Sequence, residues 1–243
     1  SMTMYQAGQE FKMPRLDVST EPLPSVDEIM ALRDTESQKA AYEALGTYMA
    51  TGSIAIVQSG IEGAFTLYVS GSDRMREDSN FGKFGSSRSA LNGNQAWTKG
   101  FGRFEQLHGD RLEQAIQGHP ATLLSDWREF YDSIRVLSDG ELNGIKVYIL
   151  KLQHGELPPV TVYVDAENGN MLISQGVLLV RGGIGIPVES LFEDYREIQG
   201  LRIPHRTISS NESSGRTIVQ YESIETNIEV DESIFTLTPP EEE

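Results

Sequence analysis

A short turn signal recurs along the second half of this 243-residue chain and constrains its fold more than any other feature. The signals are Asn143-Gly144, Asn168-Gly169, Gln199-Gly200 and the stretch 211–215. Glycine in these pairs permits the positive φ that a tight hairpin turn requires. The segments between the turns are about eight to ten residues long, too short for a crossover connection, so each strand must pair with the next. The second half therefore predicts an antiparallel meander.

Apolar and polar residues alternate between these turns with a period of two, which is typical of strands. In the hairpin 191–210, Phe192 and Ile198 are expected on one face, and Leu191 and Tyr195 on the other. The tail 227–235 is expected to add a last edge segment. The predicted strands are 134–139, 145–153, 160–165, 171–180, 187–197, 201–210 and 216–223.

The first half combines helical and strand patterns. Ser25 and Glu28 have the spacing of a capping box, which predicts a helix or a broken helix to about Leu45. The period then changes to two, and it predicts a hairpin from Gly52 onward and strands over 74–78, 83–91 and 95–98. Helical spacing returns over 104–128, with Asp110 as N-cap and a second short helix over 122–128.

One domain is expected over 25–243. Ser1-Met2 is typical of a cloning remnant, and the Gly- and Pro-containing stretch up to residue 24 is interpreted as a linker.

Charge and composition exclude several classes of function. The chain has 36 acidic and 20 basic residues, a net charge of −16, and this argues against binding to nucleic acid or to an anionic membrane surface. It has no cysteine, which removes disulfides and thiol catalysis. No apolar run of about 18 residues is present, so no transmembrane segment is predicted. No signal peptide is recognisable either.

No catalytic residue, metal site or cofactor site is predicted. The four histidines lack a metal-binding spacing, and His205 is expected at most to pair with Glu193 or Asp194. The glycine-rich stretch 182–185 is not followed by the Lys-Ser or Lys-Thr of a phosphate loop. Carboxylates on neighbouring strands could approach each other as glycoside hydrolysis requires, but an acidic chain brings carboxylates together by chance. These carboxylates are Glu193, Asp194, Glu197, Glu222 and Glu225.

A set of short motifs in a fixed order covers about residues 25 to 238. They are Ala-Leu-Gly at 44–46, Ala-Thr-Gly-Ser-Ile at 50–54, Asn-Gly-Asn-Gln-Ala-Trp at 92–97, Leu-His-Gly-Asp-Arg-Leu at 107–112, Val-Tyr-Val-Asp-Ala-Glu-Asn-Gly at 162–169, Asp-Tyr-Arg-Glu-Ile-Gln-Gly-Leu-Arg-Ile-Pro at 194–204, and the tail 227–235. In this order the chain resembles the LolA/LolB-like outer-membrane lipoprotein-sorting superfamily. The resemblance implies a mainly β (α+β) fold, an open curved antiparallel β half-barrel with helices covering the concave face.

The resemblance also implies a function. A half-barrel of this kind would be a non-catalytic binding or carrier protein for a lipid, a lipoprotein acyl chain or another amphiphile, in the periplasm or cell envelope. The alternatives are a protein-interaction or sensor module of envelope signalling, as in RseB-like regulators, and a hydrolase. The expected cavity or core residues are Phe65, Leu67, Trp97, Leu112, Ile116, Trp127, Val162, Leu179 and Tyr195.

Overall fold

The computed structural model describes residues 22–100, 103–124 and 126–238. Within these ranges the strands form one antiparallel sheet. The helices are α1 Val26–Leu32, α2 Thr35–Ala44, α3 Asp110–Gln117 and α4 Pro120–Leu124. The strands are β1 Tyr48–Ile56, β2 Ile61–Ser70, β3 Arg74–Asn80, β4 Ser86–Asn92, β5 Gln95–Gly100, β6 Arg103–Leu107, β7 Ser133–Leu142, β8 Ile145–Gln153, β9 Val160–Asp165, β10 Met171–Val180, β11 Ile184–Ile198, β12 Leu201–Asn211 and β13 Gly215–Glu225.

The sheet consists of two meanders joined in the middle. One runs from β1 to β6 and the other from β7 to β13, and they meet where β1 pairs with β13, for example at Ala50 and Ile224. The edges of the described sheet are β6 and β7, so the sheet does not close. This confirms the prediction of a mainly β, open and curved half-barrel.

The helices α3 and α4 lie on the connection between the two edge strands, and that connection crosses the open side of the sheet. On one side, Ile29 and Trp127 pack on apolar residues of β8 and β9 such as Leu150 and Val162. On the other, Leu45 packs on β1 and β2. The sheet face that carries the helices is called the concave face below.

Many of the predicted elements are confirmed. Strands β8, β9 and β10 have the predicted bounds. The capping box of Ser25 and Glu28 is present, and the first helix is broken as expected, because Asp34 adopts a left-handed conformation with φ of 53°. The predicted remnant and linker fall almost wholly on residues 1–21, which lie outside the described residues, and the single-domain assignment stays a prediction.

Four elements differ in type from the prediction. Residues Gly82–Phe84 form a 3-10 turn and β4 begins at Ser86, whereas a strand over 83–91 was expected. Helical spacing was expected from residue 104, but residues 103–107 form strand β6. Phe104 and Leu107 lie on opposite faces of the sheet, and each packs with a different apolar cluster. The second short helix ends at Leu124, and a 3-10 turn follows at Trp127–Glu129. The tail carries a 3-10 turn at Glu232–Phe235 in place of an edge strand.

The hairpin over 191–210 is present, with a tight turn at Gln199 and Gly200, whose φ values are 51° and 87°. Phe192 and Ile198 both pack on one side as predicted, the concave side, but the predicted face of Tyr195 is wrong. Phe192 and Tyr195 both pack in the concave core, whereas Leu191 lies on the other face. The cause lies at Asp194, whose φ of 53° interrupts the pairing with β12 and turns the chain between Phe192 and Tyr195, while the register with β12 is the same on both sides of the interruption.

Candidate functional site

A cavity of about 120 Å³ lies between the helices and the concave face. Leu123 and Leu124 of α4 line it from above, together with Pro120. The sheet contributes apolar side chains from both meanders, because the pairing of β1 with β13 brings those meanders side by side. The sheet residues include Tyr48, Leu67, Met171, Phe192, Ile203 and Ile224.

A second pocket of about 300 Å³ continues from the first. It lies under α3 and the 3-10 turn, and it is lined by apolar residues including Trp127, Leu152, Val160 and Val162. Leu123 and Met171 line both spaces. Helices α3 and α4 and the 3-10 turn at Trp127–Glu129 are called the cover below. Movement of the Leu123 and Met171 side chains would join the two spaces into one apolar channel beneath this cover.

Arg33 holds the cover onto the sheet. Its side chain is buried; Nη2 donates to the carbonyl oxygen of Leu123 at 2.9 Å, and Nη1 donates to that of Gly169 at 3.2 Å. Its guanidinium also lies over the Trp127 ring. Burial lowers the pKa of Arg33 to about 10, so the group stays charged near neutral pH. One cation thus ties α1, α4 and the turn between β9 and β10 together.

Two further side chains fasten the same corner. Arg202 of β12 donates from Nη2 to the carbonyl oxygen of Arg33 at 2.8 Å and from Nη1 to that of Asn168. Gln38 of α2 donates to the carbonyl oxygen of Gly200 at 3.0 Å and accepts from the backbone N–H of Arg202 at 2.9 Å. Both arginine side chains donate to backbone carbonyls. The path of the backbone, and not the identity of the acceptor residues, therefore sets the contacts at this corner of the cover.

His119 fixes the junction between α3 and α4. It is fully buried; its Nδ1 accepts from the N–H of Ala121 at 3.1 Å, and its Nε2 lies 3.2 Å from the carbonyl oxygen of Arg74 on β3. Burial lowers the pKa of His119, which favours the neutral ring that can accept at one nitrogen and donate at the other.

Gln114 attaches α3 to β10. Its Nε2 donates to the carbonyl oxygen of Val177 at 2.7 Å, and its Oε1 accepts from the N–H of Leu179 at 2.8 Å. Strand β9 pairs with β10 only as far as Gln175. The Gln114 side chain therefore replaces a missing strand at the uncovered edge of β10.

The tyrosines around the cavity are uncharged at neutral pH. Burial raises the pKa of Tyr48, Tyr195 and Tyr221, and the hydroxyl of Tyr195 donates to the carbonyl oxygen of Met171 at 2.6 Å. In the ranges that the structure describes, no three His, Asp or Glu side chains are grouped so that they could hold a metal ion. The arrangement is suited to holding apolar material.

The structure distributes the nine predicted residues over six places. Leu67 and Tyr195 line the first cavity, and Trp127 and Val162 the second. Phe65 stacks on Tyr221 in the concave core, with ring centroids 5.9 Å apart. The α3 residues Leu112 and Ile116 pack on β4 to β6, beside the cavities. Trp97 packs on the opposite face with Ala90 and Leu237, and Leu179 lies on β10 next to Gln114.

The expected ion pair of His205 is replaced by other contacts. His205 is buried, and its Nδ1 lies 3.0 Å from the carbonyl oxygen of Ile203. Glu193 pairs with Arg206 at 3.1 Å, and Asp194 pairs with Arg196 at 2.6 Å. Glu197, Glu222 and Glu225 are exposed. These carboxylates therefore form no enclosed acidic pair.

Sequence reasoning missed Arg33, Arg202, Gln114 and Leu123. The three polar side chains form hydrogen bonds with backbone atoms. Such a contact needs no particular residue type in its partner, so the sequence carries no sign of it. Leu123 was included in a predicted helix, but its spacing alone could not distinguish a cover residue from ordinary core.

None of the helices in the described ranges is long and apolar enough to cross a bilayer. No protein-family model matches the chain, and no curated protein matches it.

Solved structures match it over nearly their whole length. A LolA superfamily protein from Nitrosomonas europaea shares 13% identity over 88% of this chain and 99% of that one, with a TM-score of 0.56. An outer membrane lipoprotein-sorting protein domain from Vibrio parahaemolyticus shares 15% over 87% and 97%, with a TM-score of 0.58. A DUF1329 family protein from Desulfovibrio piger shares 12% over 86% and 97%, with a TM-score of 0.57. The chain therefore has a LolA-like fold.

Proposed function

We propose that this protein uses its LolA-like half-barrel to hold the apolar chain of a lipid, a lipoprotein or another amphiphile, as a non-catalytic carrier in the bacterial cell envelope. The observation that carries the proposal is the pair of apolar spaces under α3 and α4, which share Leu123 and Met171. The cell-envelope assignment is supported by the likeness of the fold to a lipoprotein-sorting protein domain.

Ligand uptake requires the cover to move. The two hydrogen bonds from the Arg33 guanidinium to carbonyls are worth roughly 1.5–3 kcal/mol each, and its contact with Trp127 about 1–2 kcal/mol. Burying an acyl chain returns about 0.8 kcal/mol per methylene. A chain that buries about five to ten methylenes therefore offsets the opening of this corner. Shorter apolar molecules would leave the cover closed.

The first test is binding of the uncharged fluorescent probe N-phenyl-1-naphthylamine, together with native mass spectrometry of the purified protein. We expect fluorescence enhancement, displacement of the probe by long-chain amphiphiles, and co-purified amphiphile in the mass spectrum. Leu123→Asp should weaken probe binding about tenfold or more, because it places a carboxylate against the apolar chain. Leu137→Asp is the matched control, since Leu137 is exposed on β7.

Two results would contradict the proposal. One is the absence of both probe binding and co-purified amphiphile in the wild-type protein. The other is an equal effect of the substitutions at Leu123 and Leu137.

The alternative function is a protein-interaction or sensor module. The observation that favours it is the hairpin of β10 and β11, on which Leu178 is 42% exposed and Ile184 is 63% exposed. The double variant Leu178→Ser/Ile184→Ser distinguishes the two functions. If it abolishes retention of a protein partner from envelope extract and leaves probe binding unchanged, the sensor function is favoured.

A further inference from the structure

The concave face changes from apolar to polar between β2 and β3 in the two rows that start at Phe65 and Leu67, whereas the next row, from Val69 through Met75 to Leu91, stays apolar beneath α3. On β2, Phe65 and Leu67 face the helices. Their partners across the ladder are Ser79 and Glu77 of β3. The apolar cavity therefore ends where Leu67 meets Glu77, and a polar surface begins there.

The polar surface continues across three more strands in two rows. The row that starts at Glu77 passes through Ser89 and Thr98 to Glu105, and the row that starts at Ser79 passes through Ser87 and Gly100 to Arg103. All eight residues line one groove of about 380 Å³, which Arg88 and Lys99 also border from the alternate positions of β4 and β5. A polar lining of this kind disfavours burial of an acyl chain.

Glu77 is the group nearest to the apolar cavity. In the part of the chain that the structure describes, its one hydrogen-bond donor is the Ser89 hydroxyl, which lies 3.1 Å away. A carboxylate has about four sites that can accept hydrogen bonds. Burial raises the pKa of Glu77, an effect that the Ser89 hydrogen bond opposes. Glu77 thus presents acceptor capacity that the protein itself does not fill.

The remaining charges near the groove are mostly engaged. Glu105 forms an ion pair with Arg111, whose Nη1 lies 2.6 Å from its Oε1. Arg88 alternates to the opposite face, where it pairs with Asp78 at 3.4 Å. Arg103 lies in the outer row and is exposed. A ligand group beside Glu77 therefore meets a carboxyl group and hydroxyl groups.

We propose that this groove binds the polar head of the amphiphile, and that it selects a head that donates hydrogen bonds and carries no negative charge. The proposal rests on the proposed function, because the chain of the same ligand would occupy the neighbouring apolar cavity. Hydroxyl groups and an ammonium group share the required donor chemistry. An anionic head is disfavoured, because it would lie against Glu77 without a facing cation in the inner row.

The test compares three amphiphiles with the same decyl chain: decyl glucoside, decylammonium and decyl sulfate. Each displaces N-phenyl-1-naphthylamine from the protein below its micelle concentration. We expect the glucoside, the ammonium compound or both to bind at least about tenfold more tightly than the sulfate, as one charge-assisted hydrogen bond predicts. Preference for the glucoside identifies a hydroxyl head, and preference for decylammonium identifies an amine head.

Glu77→Leu should remove this preference while the probe itself still binds. Ser89→Ala is a second variant with a smaller expected loss, in case Glu77→Leu does not fold, and Glu62→Leu is the matched control because Glu62 is exposed on β2. An equal ranking of the three heads in wild type and Glu77→Leu, or tightest binding of the sulfate, overturns the proposal. If the probe does not bind the wild-type protein at all, the proposed function has failed instead.

Discussion

The guanidinium carbon of Arg33 lies 3.8 Å from the centre of the Trp127 ring, and the two side chains are both buried. Arg33 ends helix α1, whereas Trp127 follows α4 almost a hundred residues later in the chain. Both side chains also bond the carbonyl oxygen of Leu123, Arg33 at 2.9 Å and Trp127 through Nε1 at 3.4 Å. The contact between Arg33 and Trp127 thus connects the first helices to the cover of the cavity, and the two form one packed unit.

Replacing Arg33 tests this unit. Arg33→Lys keeps a buried charge but loses the planar fork that reaches two carbonyls, so we expect a loss of about 2–4 kcal/mol in the free energy of unfolding. Arg33→Met removes the charge at similar length and should cost less. Both variants should take up N-phenyl-1-naphthylamine faster in stopped-flow experiments. Arg135→Lys, at an exposed position on β7, is the control. Wild-type stability of Arg33→Lys would contradict the assignment.

Gly169 can be tested against a second glycine with a similar backbone. Gly169 has a φ of +74° and Gly182 a φ of +85°. A Cβ on Gly169 would lie 2.6 Å from the backbone nitrogen of Arg33, whereas a Cβ on Gly182 would meet nothing within 4 Å. Both alanine variants carry a backbone cost of roughly 1–2 kcal/mol. Gly169→Ala should lose clearly more in urea unfolding, because α1 must shift. Equal losses would show that α1 does not rest on this turn.

His119 should make stability depend on pH. Its folded-state pKa is lowered by burial from the ordinary 6.5, so the unfolded chain binds the proton more readily. The stabilisation from the neutral ring is therefore full above about pH 6.5 and decreases on acidification, by at most about 1.4 kcal/mol per pH unit. Urea unfolding at several pH values should show a shallower slope below neutrality for His119→Gln than for the wild type. His108→Gln, at an exposed site, should keep the wild-type slope.

Gln114 should protect one amide of β10 from exchange with solvent. Its Oε1 accepts from the N–H of Leu179, so we expect Gln114→Ala to raise hydrogen exchange at that amide about tenfold, while the amides paired with β9 are unchanged. Gln106→Ala on the exposed side of β6 is the matched control. NMR-detected exchange resolves the individual amides. Unchanged hydrogen exchange at the Leu179 amide would contradict the inference that the Gln114 side chain takes the place of a neighbouring strand.

The sequence predicted the local elements well where turn chemistry and alternation agree. The Asn-Gly turns before β8 and between β9 and β10, together with runs of apolar residues, mark the bounds of these strands. Strand β6 was missed because it has five residues and runs directly into a helical pattern. The interruption at Asp194 could not be predicted either, because a positive φ at aspartate has no reliable signal in a single sequence.

The candidate site was predictable only as a region. Leu67, Trp127, Val162 and Tyr195 line the two spaces, as periodicity and the family resemblance together suggest. Trp97 has the same alternation pattern, but which face of a strand meets the helices depends on the pairing of distant strands. The contacts of Arg33 and Gln114 escape sequence reasoning for a different reason: their acceptors are backbone atoms, which every residue possesses.

The pairing of β1 with β13 also sets the order in which the chain can fold. Its partners lie near opposite ends of the described chain, so they meet only after an expensive loop closure, and such contacts slow folding. While the chain is being synthesised, each meander can form by local hairpins, but β1 keeps an unpaired edge until the last strand arrives. An unpaired strand edge is prone to aggregation. A polypeptide that stops before β13 would therefore lack Tyr221 and Ile224 of the cavity wall and would also expose β1 to other chains.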